Sequence, residues 1–415
     1  AGAKITATNT QTGASREATT NQEGLYRLAG LPIGSYSVKV EKQGFQPQIN
    51  ERVEVSVAVD SAANFTLGAG TVQEVVTVTE SAALLEATQS QVSKVVDSTR
   101  ILELPGRNTL NGLALLNPGV LPNQNGRPGS GFAVNGNRTR SNNFTIDGAN
   151  NNDQSLSIPR QNLPPEAIGE FQIITNTFAA EFGRNAGSFV NVITRSGTND
   201  FHGIAHFTWN GNGLNALTTA EQRTYNAQRA AGRSDKEALR LSRSVTVASQ
   251  YGGTLGGPIK KDHTHFFTSF DTTPFRTTIS NVSRVAITQE GVNNLRANAS
   301  RFAPGALDYL LKTFPVANDP TPQGSVNVTD PVTGATITSI PFQRFNRTLS
   351  NGLAYGRDFW RYLAKINTRI NSKDNLSFRY LIDDFHDPGA PASIAGLEIG
   401  QTTRSQSFTI NDVYA

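Results

Sequence analysis

Residues able to do covalent chemistry are scarce in this chain. Its 415 residues include no cysteine and five histidines, His202, His206, His263, His265 and His386. A thiolate nucleophile, a thiolate metal site and a disulfide framework are therefore excluded. A zinc peptidase needs paired His and Glu ligands with an open coordination position. None of the five histidines sits in an H-x-x-E or H-E-x-x-H arrangement. His202 and His206 share one face of an alternating stretch, a placement that suits a polar lining as well as a metal. The densest set of hard oxygen donors runs from Asp147 to Asp153, two carboxylates with the amides of Asn150, Asn151 and Asn152 between them. That run lacks the D-x-D-x-D-G spacing of a calcium loop, so it reads as a solvated, ligand-facing loop presenting Asn150, Asn151 and Asp153. Arg138, Arg140 and Arg160 lie near it in sequence, suited either to an anionic ligand or to pairing with carboxylates. No nucleophile with its base and no metal set emerges. The expectation is a protein that is not an enzyme and uses no cofactor or metal.

Composition sets the other limits. The formal charge is +4 and the pI near 9.3, with the charge scattered and no run of five like charges. A nucleic-acid surface is not expected from this. No stretch approaches the roughly 18 consecutive apolar residues of a membrane helix. A β-barrel stays open, because its strands alternate and average out in any hydropathy window. The chain has no methionine and begins Ala1-Gly2-Ala3-Lys4, from which we expect a processed or truncated piece of a longer exported protein.

The elements that must position these residues fall into a mainly β chain. In residues 1–69, Lys4 to Thr8, Leu25 to Leu28, Ser35 to Glu41 and the valines Val53, Val55, Val57 and Val59 alternate between Gly, Pro and Asn turns. This spacing predicts a small β-sandwich. Residues 70–80 form an extended, β-branched linker. Between 81 and 197 an α/β unit is expected, with helical spacing over Ser90 to Leu104, a short helix over Asn108 to Leu116, and a hairpin of Phe132 to Arg138 with Asn142 to Ile146. From 198 to 415 the pattern becomes alternation of apolar and polar residues. Phe201, Ala205, Phe207 and Trp209 oppose His202, His206 and Thr208; Trp360, Tyr362, Ala364, Ile366 and Ile370 oppose Arg361, Lys365, Asn367 and Arg369. That is the apolar-out, polar-in signature of a barrel wall. About seven such strands are expected, with long loops at 211–243, which holds a helical patch, and at 289–358.

Two resemblances join these parts. Asn21-Gln22-Glu23-Gly24-Leu25-Tyr26, Leu31-Pro32-Ile33-Gly34-Ser35-Tyr36 and Gly44-Phe45 resemble the carboxypeptidase regulatory-like domain, whose aromatics pack its core; its usual first strand is missing here. Asn143 to Gly148, Pro165 to Ile173, Phe178 to Gly183 and Gly187 to Gly197 resemble the plug of TonB-dependent outer-membrane receptors, in the branch that carries such a regulatory-like domain and is called Oar-like. The matching plug positions are Ile146, Asp147, Gly148, Phe182, Gly183, Gly187, Asn191, Ile193 and Thr194. By its place between the two domains, Glu74-Val75-Val76-Thr77-Val78-Thr79 resembles the TonB box, an edge strand awaiting a partner; the bland alternative is the last strand of the sandwich.

The resemblance implies a sandwich, a plug and the first strands of a truncated barrel that in this family closes with about 22 strands. It implies a place in the bacterial outer membrane, with the sandwich and plug on the periplasmic side and lipid around the wall. It implies uptake of an extracellular solute driven through TonB and its inner-membrane energising complex, and it leaves room for a surface lipoprotein. Ala179-Ala180-Glu181-Phe182-Gly183 stands where many transporters have Ser-Ala-x-Tyr-Gly, a departure that sets the chain apart from the siderophore transporters and speaks against an iron chelate, while the Asn-rich loops suit a saccharide or peptide by hydrogen bonding. The rival from another class is a surface adhesion or structural protein that transports nothing.

Overall fold

The computed structural model of the chain describes residues 1–57, 60–70, 76–78, 92–103, 110–123, 130–155, 157–178, 182–183, 185–243, 246–303, 305–314, 316–371, 374–390 and 399–414. In the first unit β1 (Lys4–Asn9), β2 (Ser15–Thr19), β3 (Gly34–Glu41) and β4 (Gln48–Val55) form an antiparallel sheet, and β5 (Val76–Val78) joins β4 in parallel at its edge. Period-2 alternation puts Ile5, Ala7, Tyr36, Val38, Val40 and Val53 on one buried face. That face is covered by Tyr26, Leu28, Leu31, Ala63, Phe65 and Leu67. These residues lie on chain without regular strand, so Leu25 to Leu28 serves as cover and not as a paired strand. The buried phenols stay satisfied, Tyr26 donating to Ala63 O at 2.7 Å and Tyr36 to Pro32 O at 2.8 Å. Phe45 stays half-buried outside this core, beneath the Lys42 ammonium at 5.1 Å.

The second unit contains β6 (Val92–Asp97), α1 (Ser98–Glu103), α2 (Leu110–Ala114), β7 (Val120–Pro122), β8 (Phe132–Val134), β9 (Asn143–Ile146), β10 (Ala149–Asn150), β11 (Ile168–Asn176) and β12 (Phe189–Thr194). Its sheet runs β10-β9-β12-β11-β6, with β9 and β12 parallel. Two expectations are corrected. Val92 to Asp97 is a strand, and the helix begins only at Ser98, where the Asp97 carboxylate accepts the Arg100 N–H at 2.9 Å. Phe132 to Val134 pairs with Val120 to Pro122, leaving β9 to the main sheet, so the expected hairpin does not form. The Asp-Gly turn is where it was expected: Ile146 pairs with Ala149, and Asp147 and Gly148 both take positive φ, 48° and 77°. This is the two-residue hairpin geometry that glycine at its second position permits.

The third unit is one antiparallel sheet. Its strands are β13 (His202–Gly211), β14 (Thr246–Lys260), β15 (Thr264–Thr272), β16 (Phe275–Ile287), β17 (Asp319–Thr329), β18 (Thr336–Arg369), β19 (Asp374–Ala390) and β20 (Ile399–Tyr414). The expected patch of helix at 211–243 is α3 (Thr219–Ala230) and α4 (Asp235–Ser242). The stretch 289–358, expected as loop, instead contains α5 (Gln289–Ala297), α6 (Ala306–Thr313), β17 and most of β18. Burial inverts the rule for a soluble sheet. Phe207, Leu255, Phe270, Tyr362, Ile366 and Phe408 are exposed, while His265, Asp271, Arg361, Lys365, Arg379 and Asp383 are buried. One face therefore suits lipid and the other a polar interior. The apolar face of β18 runs from about Trp360 through Tyr362 to Ile366, and residues 336–359 carry the strand on beyond it.

This orientation predicts a sharp asymmetry for one substitution. Ile366→Arg on the apolar band should cost about 2–4 kcal/mol in refolding into bilayer vesicles, whereas Val332→Arg, in a solvent-exposed turn beyond β17, should change it by less than about 0.5 kcal/mol. Equal costs at the two positions would mean that the apolar face does not meet lipid.

Candidate functional site: the seam between plug and wall

The short plug motifs, spread over about fifty residues of sequence, meet in one place. Ile146 is buried in the core, and the turn it leads into presents Asp147 to β12 and to the wall. The Asp147 carboxylate accepts the Thr194 backbone N–H at 2.8 Å and its hydroxyl at 2.7 Å. From the wall Arg379 Nη1 reaches it at 2.8 Å and Lys365 Nζ at 3.5 Å. The three side chains are only 4–8% exposed. Lys365 also donates to Thr194 Oγ1 at 2.9 Å, and Asn411 on β20 donates to Asp147 O at 3.0 Å. Burial alone would raise the Asp147 pKa, but the Lys365 and Arg379 charges and the two Thr194 hydrogen bonds outweigh it and hold the carboxyl below its ordinary value.

The other motif residues brace this turn from behind. Asn191 accepts the Thr145 hydroxyl at 2.8 Å, and the Asn143 amide donates to Phe182 O and Gly183 O at 3.4 and 3.3 Å. Phe182 stacks on Phe189 with ring centroids 4.4 Å apart. Gly187 lies so close to Ser141 that a Cβ on it would stand 2.8 Å from Ser141 O, which explains the small residue there. Ile193 pairs with Glu170 across β11 and β12.

A second set of contacts lies further along the same strands. Gln161 donates to Leu381 O and Ser405 O, each at 3.1 Å, and accepts Ser407 Oγ at 2.7 Å; Asn162 N donates to Asp383 Oδ2 at 3.0 Å. Between the two sets the contact is apolar, with Phe267, Leu363 and Leu381 of the wall joining the plug core. A third bridge is His206, with Nε2 3.1 Å from Asp271 of the wall and Nδ1 3.9 Å from Glu166 of the plug. It belongs to this seam and shares no metal set with His202 among the described residues.

The Asn-rich loop behaves differently from the expectation. Asn151 is 4% exposed, and its amide closes both ways on Gln161, donating to its O at 2.8 Å and accepting its N–H at 3.0 Å. It is a brace, not a surface residue, because an irregular segment needs side chains to satisfy its backbone. Asp153 caps a local turn through Ser155 at 2.8 Å. Asn150, Arg138 and Arg140 are exposed, Arg140 donating to Ser155 O, and Arg160 donates to Asn152 O at 3.1 Å. Of the TonB-box candidates, Glu74, Val75 and Thr79 lie outside the described residues, and Val76, Thr77 and Val78 are β5, paired with Gln48, Ile49 and Asn50.

Residues 193–415, just over half of the chain, match the family described as Outer membrane beta barrel domain. The chain belongs to that family. Within this outer-membrane β-barrel protein, residues 1–68 match the Carboxypeptidase regulatory-like domain and residues 85–188 the TonB-dependent Receptor Plug Domain. A relative is the TonB-dependent transporter Oar of Myxococcus xanthus, 28% identical over 275 residues that make up 64% of this chain and 24% of the relative. The chain thus spans about a quarter of the length of that relative. Among solved structures, a variant of the ferric enterobactin receptor of Pseudomonas aeruginosa aligns with 78% of this chain and 38% of its own, at 14% identity and a TM-score of 0.45. The siderophore receptor PirA of Acinetobacter baumannii aligns with 77% and 44%, at 15% identity and a TM-score of 0.38.

The charges at the seam lead to two predictions. Asp147→Asn strands two buried cations and should weaken plug docking by about 3–5 kcal/mol, read as faster proteolysis of the 195–201 connection. Adding Arg379→Gln should recover part of the loss. Because the folded pKa of Asp147 is depressed, this contribution is complete above the ordinary carboxylate range and is lost only as pH falls through the lower folded value. Glu170, where the sandwich touches the plug, should respond in the opposite sense. Burial raises its pKa, the Val57 N–H and Ser56 partly offset that, and Asp97 and Glu54 add repulsion. Its stabilising share is complete below the usual Glu pKa and fades as pH rises through the folded value. Acidification should therefore stabilise the fold through Glu170 while loosening the Val57 N–H bond itself, which favours the ionised carboxylate. Denaturant midpoints across the acidic range should rise as pH falls, and Glu170→Gln should abolish that share of the pH dependence.

Proposed function

We propose that this chain is part of a TonB-dependent receptor that takes up a bulky extracellular solute under control of the plug. One observation carries the reading: a folded plug sits against the polar face of a membrane wall through ion pairs and hydrogen bonds centred on Asp147. Polar contacts of this kind can be exchanged for water when a plug moves, which a wholly apolar seal would resist. Gln161 and Asn162 meet the wall at Leu381, Asp383 and Ser405, further along β19 and β20 from the short turn than Arg379 and Asn411, and the loop before them suits a solute arriving from outside. Exposed Asn150 offers a hydrogen-bond donor and acceptor to a saccharide or peptide, and exposed Arg138, Arg140 and Arg160 offer donors that also suit anionic groups on the cargo.

The TonB-binding segment in this reading is Glu74 to Thr79. Its middle residues already have strand geometry and pair on one side with β4, so the entropy of ordering them is in part already spent. A TonB strand would add to the other edge or displace β4.

The test is binding of the periplasmic domain of TonB to the whole chain with and without Glu74 to Thr79. Deletion should lower affinity at least tenfold and abolish energised uptake while leaving solute binding intact. Undiminished TonB binding by the deleted chain would remove the segment from this role, and a failure of the intact chain to bind would favour a surface adhesion protein.

A further inference from the structure

The sandwich is more than a bead on the chain ahead of the plug. It touches both the plug and the wall, and among the described residues its wall contacts at Asn199, Asp262 and Val413 fall at one end of the barrel sheet. The turn between β1 and β2 meets the turn between β14 and β15. Asn199 N, just before β13, donates to Gln11 O at 2.9 Å, and its side chain is tied to Asp262 by two hydrogen bonds of 2.6 and 2.8 Å. A Cβ on Gly13 would lie 3.3 Å from Asp262 Cβ. On β2, Arg16 donates to Val413 O of β20 at 3.4 Å. From the far end of β4, Val57 N donates to the buried Glu170 carboxylate of the plug at 2.8 Å.

We propose that the sandwich is an outer clasp that straddles the seam between plug and wall and holds the plug in place from the short-turn end. The turns it grips, at Asp262 and beside Val413, are those where β14 passes to β15 and where β20 lies against the start of β19. The plug enters the wall at the same end, through residues 195–201. A body fixed to the wall at Asn199, Asp262 and Val413 and to the plug at Glu170 occupies the path by which the plug would leave. Movement of the plug in that direction therefore requires the sandwich to undock first. Four contacts on three separate elements of the sandwich make this a docked orientation and not a single chance touch.

The chain contains no cysteine, so the clasp can be locked and unlocked in the whole protein. In Gly13→Cys/Asp262→Cys both cysteines take positive φ, 67° and 58°, a strain shared by the two redox forms, so the reduced form is the control for the oxidised one. The 3.3 Å between the two Cβ positions is a little under the usual disulfide Cβ distance of about 3.8 Å, within reach of a small turn adjustment. Deuterium exchange of the plug amides in Val92–Asp97 and Ile168–Asn176 is the readout. Oxidation should slow it at least tenfold relative to the reduced form. In a separate variant, Asn199→Ala/Asp262→Ala should speed it at least tenfold while β1 and β3 keep their protection. Plug exchange that is the same in oxidised and reduced protein would overturn the clasp, whatever the alanine variant does. The readout needs neither TonB nor a solute, so a failure here bears on the clasp and leaves the transport reading standing.

Discussion

The arrangement depends on one carboxylate facing two cations. Lys365 and Arg379 are neighbours across β18 and β19, on the face of the wall turned from lipid, and both are shut off from water. Left alone, two like charges at that spacing would resist burial. Asp147 supplies a counter-charge, and Thr194 takes up the remaining ammonium protons with its carbonyl and hydroxyl. The plug is thereby registered against the wall to within a hydrogen bond. Because desolvation cancels much of the Coulomb gain for a buried pair, the contact fixes position strongly while adding little to net stability. That combination suits a part that must sit accurately and still come away.

The sequence made one half of this contact visible. An Asp-Gly pair closing an apolar strand is a local signal, and the turn formed where that signal lay. Alternation likewise separated Tyr362, Ile366 and Ile370 from Arg361 and Lys365, and burial divides them in the same way. The pairing itself was hidden, because Arg379 is 232 positions from Asp147 and nothing local ties them together. Only the docking of the plug on the wall puts one against the other. Asn151 failed for a related reason: three adjacent amides look like a surface, yet one of them was needed to satisfy the irregular backbone at Gln161.

The strand β6 shows how spacing can mislead. Val92, Val95, Val96 and Ile101 fall at helical intervals, but three of the four are valines, which suit a pleated surface. The helical part starts at the Asp97-Ser98 junction, where a side-chain cap replaces the missing intrahelical acceptor. Asp97 as an N-cap was the available signal. The long interval 289–358 misled in the other direction. Its Thr, Asn and Gly content resembles loop, while β16, β17 and β18 pair through it and α5 buries Val292 and Leu295 beside them. Beyond the membrane a sheet needs no apolar outer face, so the alternation that marked the wall fades although the hydrogen-bond ladder continues.

The chain order adds a mechanical constraint. The sandwich leads through β5 toward β6, and among the described residues β6 is the edge strand of the plug sheet, paired there with β11. The strands that carry the wall contacts, β9 with its turn and β12, lie on the other side of β11. A load arriving from the sandwich side thus meets β6 first and reaches Asp147 only across β11 and β12. Glu170, the point where the sandwich touches the plug, is on β11 itself and pairs with Asp97 of β6. While that contact holds, the edge strand and its neighbour are supported from the same body. Once it is lost, β6 keeps its ladder to β11 and the burial of Val96 in the plug core, and the Asp147 contacts on the far side of the sheet can remain whole.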